Sequence, residues 1–145
     1  MQLACGARGV PAPAKLRAWA RAAARCACAV TLRIVGTAEG RRLNRQFRGR
    51  SGPSNVLSFS YEGPSRSIRR GDIALCHPVL AREARAQGKT LAAHYAHLVV
   101  HGMLHLQGFA HARRAPAKRM EREEVRILRR MGFDDPYLLR AARSR

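Results

Sequence analysis

The sequence is poor in acidic residues. Nine aspartates and glutamates stand against 28 lysines and arginines, so the formal net charge is +19 and the pI is near 11.7. So much positive charge on a small protein implies a polyanionic partner, and nucleic acid is the first candidate because neutralising its phosphates gives affinity that does not depend on base sequence. Lysine is scarce too, at 3 of these 28 positions. A GC-rich genome would itself favour arginine codons over lysine codons. The positive charge is therefore informative about function, whereas the preference for arginine over lysine need not be.

The sequence also lacks the marks of an exported or membrane-bound protein. No apolar run approaches the roughly 20 residues that span a bilayer, and the N-terminus has no charged stretch followed by an apolar block and a cleavage site. The four cysteines, Cys5, Cys26, Cys28 and Cys76, form no C-x-x-C pair. We therefore expect a soluble, cytoplasmic protein without a membrane partner, whose cysteines are reduced and mostly buried.

Aromatic residues are few: four Phe, three Tyr and one Trp in 145 residues. Bases of single-stranded nucleic acid stack on aromatic rings, so this scarcity predicts recognition of the nucleic-acid backbone rather than of its bases. Two groups of arginines offer an electrostatic track for the phosphates, although each is equally compatible with a solvated face. They are Arg41, Arg42, Arg45, Arg48 and Arg50, and then Arg66, Arg69 and Arg70.

The length predicts a single domain over residues 1–145. Alternating apolar residues predict strands over 2–5, 28–35, 55–61 and 72–76, with a polar loop over 62–70. Helical periodicity predicts helices over 13–26, 37–47, 78–87, 90–107 and 116–131. Thr37 and Thr90 are the expected N-caps, and Gly108 suits the position just beyond the fourth helix. Strands interleaved with helices, followed by helices alone, predict an α+β fold in which helices cover one small sheet.

A histidine motif ends the long fourth helix. HGMLHLQGFAH at 101–111 has the pattern H-x3-H-x5-H. His101 and His105 are four residues apart, so they share one helix face, and Gly108 lets the chain turn back so that His111 supplies a third nitrogen. Three neutral imidazoles with a fourth position left to water form the ligand set of a catalytic zinc site. We predict one Zn²⁺ per chain on His101, His105 and His111, although histidines on such an apolar helix are also compatible with burial.

Two further histidines lie on the same helical stripe. His94 and His97 precede the motif, so His97 and His101 also form an H-x3-H pair, and periodicity does not choose between the pairs. The turn at Gly108 favours the later pair, because a ligand beyond the helix end folds back only over its last turns. We expect His97 to be a packing or supporting residue and His94 to be partly exposed.

Gly102 stands where a zinc peptidase of the H-E-x-x-H type has its glutamate base. Glycine cannot take a proton from water, so a peptidase would need a base from elsewhere. Cleavage of a nucleic-acid phosphodiester makes a different demand: a neighbouring hydroxyl or a zinc-bound hydroxide can be the nucleophile, and the protein must stabilise charge on the phosphate. A Lewis-acid zinc and an arginine meet that demand.

Four segments closely resemble the YbeY family of rRNA maturation factors. They are FRGRSGPSNVLSF at 47–59, GDIALC at 71–76, HLVVHGMLHLQGFAH at 97–111 and MGFDDPY at 131–137. The similarity covers nearly the whole chain, in order and with compatible spacing. One departure matters, because the family usually has Asp directly before the third histidine and this chain has Ala110.

The resemblance implies a zinc-dependent, single-strand-specific endoribonuclease with a mixed four-stranded sheet and several helices. It implies that His101, His105 and His111 are the zinc ligands and that Arg48 is functionally important, so we take these four as catalytic residues. It also implies work on the 3′ end of 16S rRNA and in ribosome quality control. The implied partners are single-stranded RNA, rRNA, the small ribosomal subunit with its proteins, and an Era-type GTPase. Two alternatives stay open: a ribosome assembly factor that contains zinc without catalysis, and a metallopeptidase.

Overall fold

The fold is built on one mixed sheet of four strands. A computed structural model describes residues 2–3, 9–49, 52–61, 68–108 and 116–138. The strands are β1 (Gln2–Leu3), β2 (Ala27–Val35), β3 (Val56–Tyr61) and β4 (Ile68–Cys76). Their order in the sheet is β1-β2-β4-β3, with β1, β2 and β4 parallel and β3 antiparallel to β4. Strand β3 is therefore an edge strand of the described sheet, with β4 as its strand neighbour.

Helices cover both faces of this sheet. They are α1 (Pro13–Ala23), α2 (Thr37–Arg48), α3 (His77–Gln87), α4 (Leu91–Leu106) and α5 (Pro116–Arg130). The predicted α+β fold, a small mixed sheet covered by several helices, is confirmed. Its extension over all of residues 1–145 as a single domain stays a prediction.

Alternate residues of β3 and β4 point to opposite faces of the sheet, and a different helix packs on each face. Leu57 and Ala74 point to the face on which Leu43 of α2 packs, and the three form a small buried cluster. Ile73, on the opposite face, belongs to the main core with Val99 of α4. Helix α4 lies between the sheet and the helices α1 and α5, so it is the central helix of the protein.

Close packing of α4 on the sheet depends on glycine. A Cβ atom at position 71 would lie 2.4 Å from Leu106 Cδ1 and 2.3 Å from the carbonyl oxygen of Phe59. Neither distance is tolerable, so position 71 in β4 allows only glycine at this depth of packing. The last turn of α4 is thereby held directly against β3 and β4.

Several predicted boundaries are wrong. Strand β4 begins at Ile68, so Arg69 and Arg70 lie in a strand and not in the predicted loop. The predicted N-cap of the second helix is also wrong: Thr37 is the first helical residue and extended Gly36 precedes it, without a side-chain cap. Thr90 is confirmed, because its Oγ1 accepts a hydrogen bond from the Ala93 backbone N–H at 3.1 Å.

Among the cysteines of the described ranges, the expected burial holds only in part. Cys76 is buried, Cys28 is half-buried and Cys26 is exposed, and all three are free thiols. Cys5 lies outside the described residues. Within the part of the chain that the structure describes, none of the helices has the length and apolar character needed to span a bilayer.

Candidate active site

The end of α4 presents two imidazoles to solvent and one glycine to the sheet. His101 is partly exposed and His105 is exposed, and both line one cavity. Gly102 faces the other way: a Cβ there would lie 3.0 Å from Ile73 Cγ2 and 3.3 Å from Ser58 Oγ, and Ser58 Oγ donates to the Gly102 carbonyl oxygen at 3.2 Å. A glutamate at position 102 would enter the packed layer between α4 and the sheet and not the cavity. The geometry therefore gives no support to the peptidase alternative.

A buried carboxylate holds the histidines from behind. Glu124 of α5 is fully buried, and its Oε1 lies 2.5 Å from His101 Nδ1. Its Oε2 lies 3.1 Å from His97 Nε2 and accepts a hydrogen bond from the Tyr137 hydroxyl. One carboxylate thus fixes two imidazole rings and ties α4 to α5.

The charge state of this cluster follows from its contacts. Burial alone would raise the pKa of the Glu124 carboxyl, but hydrogen bonds from His101 and His97 outweigh burial and lower that pKa to about 2. Burial lowers the pKa of His97, although its hydrogen bond to Glu124 opposes the change. At neutral pH the carboxylate is therefore ionised, and each of the two histidines must donate a proton toward it.

The cavity beside His101 and His105 has a volume of about 560 Å³ and runs along the edge strand β3. The end of α2 also lines it: Arg48 is the last helical residue, and Gly49, with φ 64°, ends the helix in the left-handed conformation. All six residues of β3 line it. Three of the four residues predicted as catalytic, Arg48, His101 and His105, are thus brought to one cavity. The fourth, His111, lies outside the described residues.

Comparisons with known proteins identify the family of this chain. The model of the family described as endoribonuclease YbeY matches residues 14–132. The chain belongs to this family. A protein named endoribonuclease YbeY from Aromatoleum aromaticum is 53% identical over 127 residues, which cover 88% of this chain and 81% of that protein. Its namesake from Bordetella pertussis is 58% identical over 107 residues, covering 74% and 68%.

One solved structure supports the fold. The solution structure of a Thermotoga maritima protein matches with a TM-score of 0.54 over 90% of this chain and 89% of that one. The identity is 22%, so the likeness concerns the fold alone.

In this YbeY-family chain, two described side chains at the end of α4, His101 and His105, are of a type that could bind a metal ion. With Glu124 ionised, His101 Nδ1 donates to it, and the lone pair of His101 then lies on Nε2. A carboxylate behind a ligand imidazole in this way is the common support of zinc-bound histidine. His105 adds a second imidazole one turn away. Among the described residues there is no group of three candidate metal ligands, and the third predicted ligand, His111, lies beyond them.

The two earlier histidines of α4 differ from the later pair. His97 is buried on Glu124, as expected for a supporting residue. The expectation that His94 is partly exposed is wrong: it is 2% exposed, and its Nε2 lies 2.9 Å from Glu83 Oε1. His94 faces the packed side of α3, which the helical stripe alone could not show.

Glu124 is the residue that sequence reasoning missed. A signal was present, because Met120, Glu124, Ile127 and Leu128 recur at helical spacing and all four are buried. A carboxylate within an apolar helix stripe needs a buried partner. Only the fold shows that the partners are His97 and His101.

Proposed function

We propose that this chain is a zinc-dependent endoribonuclease that cleaves single-stranded RNA. The observation that supports the proposal is the cavity along β3, because Arg48, His101 and His105 all line it. Family membership supports RNA cleavage, since the relatives are named endoribonucleases. The formal charge of +19 supports a polyanionic substrate.

Each side chain of the cavity has a distinct task in this proposal. His101, His105 and His111 would hold zinc, which supplies Lewis acidity toward a phosphate oxygen and toward water. Glu124 keeps His101 in the tautomer that has its lone pair on Nε2, and it holds the ring in place. Arg48, exposed at the end of α2, offers two parallel N–H donors to the phosphate and stabilises the charge that develops on it.

The biological setting is a further part of the proposal. We propose that the substrate is rRNA, at the 3′ end of 16S rRNA, that the work belongs to ribosome maturation and quality control, and that it takes place in the cytoplasm. The small ribosomal subunit with its proteins and an Era-type GTPase would be the partners. Support comes from the motifs at 47–59 and 97–111 and from exposed arginines on α2, namely Arg41, Arg42 and Arg45.

The test is cleavage of a labelled single-stranded RNA by purified protein, with chelator and after zinc is restored. His105→Ala is the diagnostic variant, because His105 is exposed and its replacement removes no core side chain. A contaminating nuclease would survive in that preparation. We expect cleavage by the zinc-loaded wild type alone. Equal cleavage by His105→Ala, or none by any protein that binds zinc, would contradict the proposal; the latter result would favour the assembly-factor alternative.

A further inference from the structure

Aromatic rings are concentrated at the candidate active site. Phe47 is 56% exposed and Tyr61 is 53% exposed, and they are two of the three large hydrophobic residues that the described ranges expose. Both line the cavity that also contains Arg48, His101 and His105. Exposed aromatic surface beside a cavity marks an interaction site more often than a lone exposed residue does. The small number of aromatics in the sequence conceals this concentration.

The two exposed rings are held by neighbours. Phe47 packs on Phe59, with ring centroids 4.6 Å apart and an interplanar angle of 56°. The Tyr61 hydroxyl donates to Asp72 Oδ2 at 2.7 Å. Phe59 and Tyr61 are two residues apart in β3 and point to the same face of the sheet, over which the end of α2 lies. Phe47 and Tyr61 are therefore presented by backbone elements on one face, and each has a fixed support.

The charge around these rings identifies their partner. Arg48 directly follows Phe47, and Arg41, Arg42 and Arg45 of the same helix are exposed. A cationic track beside exposed aromatic rings is the arrangement that binds single-stranded nucleic acid, since phosphates follow the cations and bases stack on the rings. An apolar protein segment would leave these arginines without complementary charge.

We propose that Phe47 and Tyr61 form a stacking platform for unpaired bases of the strand whose phosphate lies at Arg48. The inference rests on the proposed function in taking RNA as the ligand, and it adds the residues that select the substrate. Phe59 and Asp72 are positioning residues that support Phe47 and Tyr61. Bases in a duplex already stack on their neighbours and cannot offer their faces to these rings, so the platform selects unpaired RNA.

The experiment measures binding without cleavage. Chelator-treated protein is titrated with a single-stranded RNA that contains 2-aminopurine, and with an RNA of equal length and charge in which the central residues are abasic. We expect the wild type to quench 2-aminopurine and to bind the abasic strand about 10-fold more weakly, in line with the loss of one or two stacked bases. Phe47→Leu and Tyr61→Leu should bind both strands equally.

Conservative variants separate stacking from folding. Phe47→Tyr keeps a ring and should retain the full preference for bases, and Tyr61→Phe, which keeps the ring but loses the hydrogen bond to Asp72, should retain part of it. Leu138→Ala alters the third exposed hydrophobic residue of the described ranges and should change nothing. Equal affinity of the wild type for both strands would overturn the platform, as would an undiminished preference in both leucine variants. Cleavage by a protein that binds both strands equally would support the proposed nuclease function and overturn the stacking platform. Stronger binding to the strand with bases by a protein that never cleaves would support the platform and contradict the nuclease function.

Discussion

Helix α4 contains two pairs of histidines that share one stripe but have opposite surroundings. His94 and His97 are buried, and each lies against a carboxylate, Glu83 or Glu124. His101 and His105 follow on the same stripe and line the cavity along β3. The difference arises from what covers the histidine face of the helix: α3 and α5 supply the carboxylates that cover His94 and His97, whereas His101 is only partly covered and His105 is exposed. Identical residue types on one helix therefore serve the fold in one half and the candidate active site in the other.

The largest expected effect separates the two pairs directly. His105→Ala should abolish RNA cleavage, a loss greater than the about 10- to 100-fold that follows when a residue behind a metal ligand is changed. Its unfolding free energy without metal should stay near that of the wild type. His94→Ala should do the opposite, costing about 1–3 kcal/mol of stability through a lost hydrogen bond and packing, with zinc retained. If His105→Ala and His94→Ala both lose cleavage, or both lose stability, the two pairs of histidines do not have different roles.

Glu124 links the two pairs, so its replacement should affect both. Glu124→Gln keeps the volume but removes the charge that fixes His101, and we expect zinc affinity to fall about 10- to 100-fold. Competition with a graded chelator measures this. Glu121→Gln on the same helix is the matched control, because Glu121 is only half-buried. Unchanged zinc affinity in Glu124→Gln would show that His101 needs no carboxylate behind it.

A variant of Arg48 tests whether its guanidinium contacts the phosphate at the candidate active site. Arg48→Lys keeps one positive charge but loses the planar fork, so we expect cleavage to fall about 10-fold while zinc content and stability stay unchanged. Arg45→Lys, one turn earlier and also exposed, should be nearly silent. If the two variants behave alike, Arg48 is one point charge among many.

The buried half predicts a dependence of stability on pH. The pKa of His97 is lowered in the folded protein, so the unfolded state binds the proton more readily and stability falls as pH drops below about 6.5. The pKa of Glu124 is lowered from 4.5 to about 2, so its contribution is present above pH 4.5 and is lost as pH falls toward 2. Denaturation of metal-free protein between pH 8 and 5 should show that the wild type loses more stability than His97→Gln. Parallel curves would contradict the assignment.

Helix α4 was predictable because its signals are local. Its predicted span of 90–107 compares with Leu91–Leu106, since the Thr90 cap and the turn at Gly108, where φ is 95°, lie in the sequence itself. The predicted loop over 62–70 is wrong at its end, because the first residues of β4 form a strand only by pairing with β2. There Ile68 lies opposite Ala27, which is 41 positions earlier in the chain (68 − 27). The local sequence pattern does not reveal pairing between strands so far apart in the chain.

The candidate site was predictable to a similar extent. His101 and His105 follow from spacing on one helix, whereas Arg48 was placed with them through the family resemblance and not through any local pattern. Glu124 and the platform of Phe47 and Tyr61 escaped prediction because they depend on which helix and which strand meet at the edge of the sheet. A count of aromatics says how many rings exist and not where they gather.

Zinc content across single variants tests the central claim, that the end of α4 and not its middle is the metal centre. Elemental analysis should find about one zinc per chain in the wild type and in His94→Gln, which can still hydrogen-bond to Glu83. It should find little zinc in His101→Ala, His105→Ala or His111→Ala. Full zinc in any of these three, or loss of zinc in His94→Gln, would contradict the account.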